Sequence, residues 1–142
     1  MKHISSLLRV SVFTLIILCG ACISAALNYD EQSVRNVELV RQDALRLLNQ
    51  GTKPYSGFEA EVTALKKKID EIIIYESGKG KANAPVVNMW KAVRSSTGNL
   101  VNIFELWERQ GTLSQAFIEE SRPRVANLLN SILTVEEHKT KR

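Results

Sequence analysis

The chain is poor in the residues that most often carry chemistry. Its 142 residues include two cysteines, Cys19 and Cys22, and two histidines, His3 and His138. Any folded part beyond residue 22 therefore lacks an internal disulfide and must be held by packing alone. A zinc site wants three or four nitrogen or sulfur ligands, which this inventory does not supply. A haem between helices would have only His138 and Met89 as axial ligands. The paired Glu-x-x-His motifs of di-metal bundles are missing, and so is G-x-S-x-G. The expectation is no catalytic residue, no metal and no cofactor, and hence no enzyme.

A concentrated charge of one sign is missing too. Lys and Arg number 19 against 15 Asp and Glu, a net charge of +4. Lys2 and Arg9 belong to the leader described below, and without them the excess falls from +4 to +2. Nucleic-acid binding wants a basic surface, and none is concentrated here. Proline is scarce, at three residues, so few positions force a helix to stop. No repeats, low-complexity tracts or domain-sized linkers interrupt the chain.

What is present begins with the leader MKHISSLLRVSVFTLIILCGACISAA. Lys2 and Arg9 make it positive, and residues 10–29 carry no charge. Its apolar centre ends at Leu18, and small residues follow, the composition of a secretory signal with its cleavage region. The predicted organisation is a signal peptide over residues 1–26 and one domain over residues 27–142. Two cleavage sites compete. Ser24-Ala25-Ala26 would release a soluble chain starting at Leu27. Leu18-Cys19-Gly20-Ala21-Cys22 resembles the lipobox of bacterial lipoproteins, with Cys19 where that family usually has Leu. The resemblance implies that Cys22 is joined to a diacylglycerol and becomes the acylated N-terminus of the mature chain. Ile23, not Asp, would then be its second residue, which implies the outer membrane in a diderm bacterium.

Downstream, hydrophobic residues recur at spacings of three and four, the signature of one helix face. Val37, Val40, Ala44 and Leu47 make the first row, with Asn28 as its N-cap. Gly51 and GTKPYSG end it. Ser56 and Glu59 form a capping box for a second helix through Val62, Leu65, Ile69 and Ile72. Lys66–Asp70 and Lys67–Glu71 are i,i+4 pairs on its polar face. SGKGKANAP reads as a plain turn, and Asn83 as the cap of a third helix. The third row runs Val86, Trp90, Val93, Thr97, Leu100, Phe104 and Trp107, crossing a polar stretch that predicts a kink or break near 96–99. Thr112 and Gln115 cap a fourth helix whose buried row is Ile118, Ser121, Val125, Leu128, Ile132 and Val135. Pro123 lies inside it and predicts a kink, since it removes a backbone donor and clashes with the Glu119 carbonyl. Glu119-Glu120 and Glu136-Glu137 read as surface, and the basic end of the chain as frayed.

Four amphipathic helices with short connections predict an all-α fold, an up-and-down antiparallel four-helix bundle preceded by an N-terminal signal helix. The weak points near 97 and 121–123 suggest an apolar pocket lined by Trp90, Thr97, Phe104, Trp107, Phe117 and Ser121. The functional expectation is an exported, lipid-anchored helical protein of the bacterial cell envelope, acting as a non-enzymatic binding or structural module. It would meet the membrane through an N-terminal lipid or, if the signal stays uncleaved, a signal anchor, and an envelope protein through its surface, with no nucleic acid. The alternatives are a soluble periplasmic inhibitor, immunity factor or chaperone-like protein, and a carrier of a small apolar ligand.

Overall fold

A computed structural model describes residues 28–97 and 100–139. The expected signal peptide, Cys22, the expected cleavage sites and residues 140–142 lie outside the described residues. Among those described, the chain forms five α-helices and no strand. They are α1 (Glu31–Leu48), α2 (Glu59–Ser77), α3 (Ala84–Arg94), α4 (Leu100–Gln110) and α5 (Gln115–Glu137), with 3₁₀ turns at Tyr55–Gly57 and Lys81–Asn83. None of them is long and apolar enough to cross a membrane.

Each helix forms because its apolar residues line one stripe, and the stripes meet in a common core. α1 packs on α5 and α2, α2 on α3, and α3 on α5. The buried row of α1 is Ser33, Val37, Val40, Ala44 and Leu47, with Leu48 beside it. That of α2 is Val62, Leu65, Ile69, Ile72 and Glu76. α3 and α4 bury Trp90 and Val93, then Leu100, Phe104 and Trp107, so the polar stretch breaks the helix without disturbing its buried side.

The caps lie elsewhere than the sequence predicts. Asp30, not Asn28, caps α1, accepting from the Gln32 amide at 2.9 Å. Ser56 is taken into a 3₁₀ turn, so Phe58 stands at the start of α2 without a side-chain cap. Ser114, not Thr112, caps α5, accepting from the Phe117 amide at 3.2 Å. Asp70 is also re-assigned: it pairs with Arg94 of α3 at 2.7 Å. The Lys67–Glu71 pair forms, at 3.7 Å.

α5 runs unbroken through Pro123, its 23 residues spanning about 34 Å at 1.5 Å per residue. Its buried row is Ile118, Ser121, Val125, Leu129, Ile132 and Glu136. Leu128 is half-buried and Val135 exposed, so the row turns by one residue from its predicted course and ends on a carboxylate.

Backbone bonds and aromatic rings close one end of the molecule. The Tyr55 amide donates to Gly111 O at 2.8 Å, and the Leu113 amide to Gly51 O at 2.7 Å. Gly111 has a φ of +78°, which glycine adopts without penalty, and its amide closes α4 on Trp107 O. Trp107 sits among Tyr55, Phe58 and Phe104 at centroid distances of 5.5, 5.4 and 6.5 Å. Its indole N–H donates to Lys53 O at 2.9 Å, so the ring is buried without leaving a polar atom bare.

Candidate functional site: a buried charged layer

The opposite end is built from charge. Three buried rows run one step past their last hydrophobic residue: Ser33 precedes Val37 by four, Glu76 follows Ile72 by four, and Glu136 follows Ile132 by four. Because residues four apart share a helix face, these side chains point into the core although they are polar. Glu76 is 1% exposed and Glu136 0%. Three residues beyond each lies a lysine, Lys79 and Lys139, just past the helix C-terminus, where the helix dipole favours a cation. α2 and α5 thus end in the same pattern, I-x-x-x-E-x-x-K.

Glu76 is the hub. Its Oε1 accepts from the Ser33 hydroxyl and from Lys79 Nζ, the latter at 3.1 Å. Its Oε2 accepts from Asn83 Nδ2 at 2.7 Å and lies 3.0 Å from Lys79 Nζ. Asn83 Nδ2 also reaches the Glu76 carbonyl at 3.0 Å. Asn83 Oδ1 accepts from Lys139 Nζ at 2.8 Å, and Lys139 also donates to Glu136 Oε1 at 2.8 Å. Asn83 therefore bridges the two Glu–Lys units instead of capping α3; its side chain makes no capping bond. Lys79 also pairs with Asp30 Oδ2 at 2.6 Å and donates to the Ser33 hydroxyl. It lies 4.5 Å from the Tyr75 ring centroid, and the Tyr75 hydroxyl donates to Asp30 Oδ2 at 2.7 Å.

The electrostatics follow from these contacts. Partial burial raises the Asp30 pKa, but hydrogen bonds from Lys79 and Tyr75 outweigh it and hold the carboxyl well below the usual range. Burial works against the Lys79 ammonium, and Asp30 and Glu76 more than restore it, so its pKa lies above the ordinary value. Glu136 goes the other way. Burial raises its pKa, Glu76 adds to the rise, and the Lys139 bond and charge only partly oppose it. Its Oε2 has no hydrogen-bond partner among the described residues.

The sequence reading misses this site. It takes Glu136 for surface, 77–85 for a plain turn, Asn83 for a cap and the chain end for frayed, whereas Lys139 is 6% exposed. The legible signal was the three-four spacing itself, carried past the last hydrophobic residue, and the I-x-x-x-E-x-x-K spacing shared by two helix ends.

The residues suggested for an apolar pocket are distributed differently. Trp90, Phe104 and Trp107 are in the common core, Ser121 is buried, and Phe117 is half-buried. The Ser121 hydroxyl accepts from Arg124 at 3.2 Å. Thr97 is exposed, its hydroxyl 2.7 Å from that of Ser95. Among the described residues, no group of three His, Cys, Asp or Glu is placed to hold a metal ion.

Charge locked at one end and aromatic rings at the other mark the described residues as an all-helical domain. No protein-family model matches the chain, and no curated protein or solved structure matches it.

Proposed function

We propose that the protein is exported, anchored through a diacylglycerol on Cys22, and presents its helical domain as a non-enzymatic binding or structural module of a bacterial envelope. The observation that carries this reading is the stretch Leu18–Cys22, with its small residues before Cys22. The residues after Cys22 would then link the acyl anchor to the folded body, which Asp30 enters through Lys79. The charged layer supports a non-enzymatic role, because its members are engaged with each other and turned inward. The helix order and contacts support reading the fold as an up-and-down antiparallel four-helix bundle whose third helix is split after Arg94. The carrier reading needs Thr97 in an apolar lining, and the exposure of Thr97 gives it no support.

Intact mass of the protein recovered from a diderm host tests the anchor. The expected species starts at Cys22 and carries acyl chains, and Cys22→Ser abolishes both acylation and membrane recovery. More than one acyl chain is needed for stable anchoring, at about 0.8 kcal/mol per buried CH₂. An unmodified chain starting at Leu27 refutes the anchor and leaves the soluble periplasmic module in its place.

A further inference from the structure

The charged layer is unbalanced. Among the described residues, Asp30, Glu76 and Glu136 face Lys79 and Lys139, three carboxylates against two ammonium groups. With every group ionised, one negative charge is left over inside the protein. The three carboxylates are not equally able to hold it. Asp30 is partly exposed and bonded by Lys79 and Tyr75. Both oxygens of Glu76 accept from more than one donor. Among the described residues, Glu136 has a single donor, Lys139 on Oε1, and a bare, buried Oε2. A buried oxygen without a donor is the least tolerable place for a charge.

We propose that the layer is a binding site for a single proton, carried on Glu136 Oε2, and that its occupancy controls how the C-terminal turn of α5 is docked. The proton comes from solvent and turns the carboxylate into a carboxyl; no other bond changes. Oε1 goes on accepting from Lys139, and the layer is left with two carboxylates and two ammonium groups. Among the described residues, the polar groups that share the layer with Glu136 come from three other elements. Asp30 and the Ser33 hydroxyl come from α1 and its cap, Tyr75, Glu76 and Lys79 from the end of α2, and Asn83 from the 3₁₀ turn. Lys139 comes from its own chain end, while Glu137 and His138 are exposed. The first turn of α3, from Ala84 to Val87, carries no charge.

The sign is fixed by burial. A carboxyl whose folded pKa lies above its unfolded value of 4.5 contributes stability that is full below that value and lost as pH rises through the folded pKa. Above it, the layer holds an excess charge beside the buried Glu136. The shortest relief is to swing residues 136–139 outward, giving up the bond from Lys139 to Asn83. The proton is therefore what keeps this turn seated.

Glu136→Gln isolates the effect, because the amide oxygen still accepts from Lys139 and the charges become equal. Carbon-13 NMR of the glutamate carboxyls, urea unfolding from acid to alkaline pH, and amide exchange at residues 136–139 are measured on the mature protein. Glu136 is expected to titrate above the ordinary carboxylate range, and wild-type stability and protection of the turn to fall through the same pH. Glu136→Gln is expected to lose this alkaline limb, with an unfolding constant about tenfold below wild type at pH 8. Glu137→Gln, an exposed neighbour, should leave the limb intact. The proposal is overturned if Glu136 titrates in the ordinary range, or if Glu136→Gln follows wild type at every pH or fails to fold. It is also overturned if sodium or potassium at fixed pH replaces the proton's effect.

Discussion

Asn83 is where two explanations of one residue part most sharply. As a helix cap, its replacement by Ala costs about 1 kcal/mol, and Asp, an equally good cap, restores everything. As the bridge of the charged layer it has more to lose. Asn83→Ala removes a 2.7 Å bond to the Glu76 carboxylate, a 2.8 Å bond from the Lys139 ammonium and a 3.0 Å bond to the Glu76 carbonyl. Hydrogen bonds with a charged partner contribute about 1.5–3 kcal/mol each and a neutral one about 1 kcal/mol. Water reaching the partly exposed Lys79 side returns some of this, so the expected loss is about 3–5 kcal/mol, the scale of a broken buried ion pair. For a domain of this size that is a fall of roughly 12–20 °C in Tm, at about 4 °C per kcal/mol. Asp at this position loses the Nδ2 donor and sets a fourth carboxylate against Glu76, so Asn83→Asp should be no more stable than Asn83→Ala near neutral pH. Urea unfolding of the three proteins decides it. An Asp variant as stable as wild type, with Ala down by about 1 kcal/mol, would show that Asn83 only caps α3 and that the bridge contributes nothing.

Three further outcomes follow from the same contacts. Ser114→Ala should cost about 1 kcal/mol and Thr112→Ala less than about 0.5 kcal/mol, since the Ser114 hydroxyl receives the Phe117 amide; equal losses in thermal melts would contradict the assignment. Pro123→Ala should raise stability by about 1–3 kcal/mol, because an exposed proline inside a helix costs about 3 kcal/mol against Ala and the freer unfolded chain returns only part; a lower Tm would show that α5 needs its proline. The depressed Asp30 pKa gives stability that is present above about pH 4 and lost as pH falls further. Asn is as good an N-cap, so Asp30→Asn should be less stable at neutral pH yet show a flatter acid limb. An acid limb as steep as wild type would remove Asp30 as its source.

The helices were legible because hydrophobic spacing is a local property, and the break between Arg94 and Leu100 was legible because Ser95, Ser96 and Thr97 compete for backbone bonds. The caps were less so. A box such as Ser56–Glu59 fits the local pattern, but the loop carrying it is pinned to Gly111 across the molecule, and that bond decides where the helix starts. The charged layer was the hardest to see. Val135 outranks Glu136 on any hydrophobic scale, so the eye follows the valine while helix geometry carries the row onto the carboxylate. The partners that make its burial tolerable lie far off in sequence: Ser33 is 43 residues from Glu76, and Asn83 is 56 from Lys139. No local window contains them.

The layer also joins the two ends of the described chain. Asp30 enters it through Lys79, and Lys139 through Asn83, so the folded body begins and finishes at one pole. A force applied between an N-terminal tether and the C-terminal tail would load these ionic bonds one after another, as a zip is opened, instead of shearing the long core rows together. The molecule should yield at this pole at low force while the aromatic clasp around Trp107 stays shut. A permuted chain, joined across Asp30 and Lys139 and cut between Thr97 and Leu100, would move the load to the middle of the helices and should resist it longer.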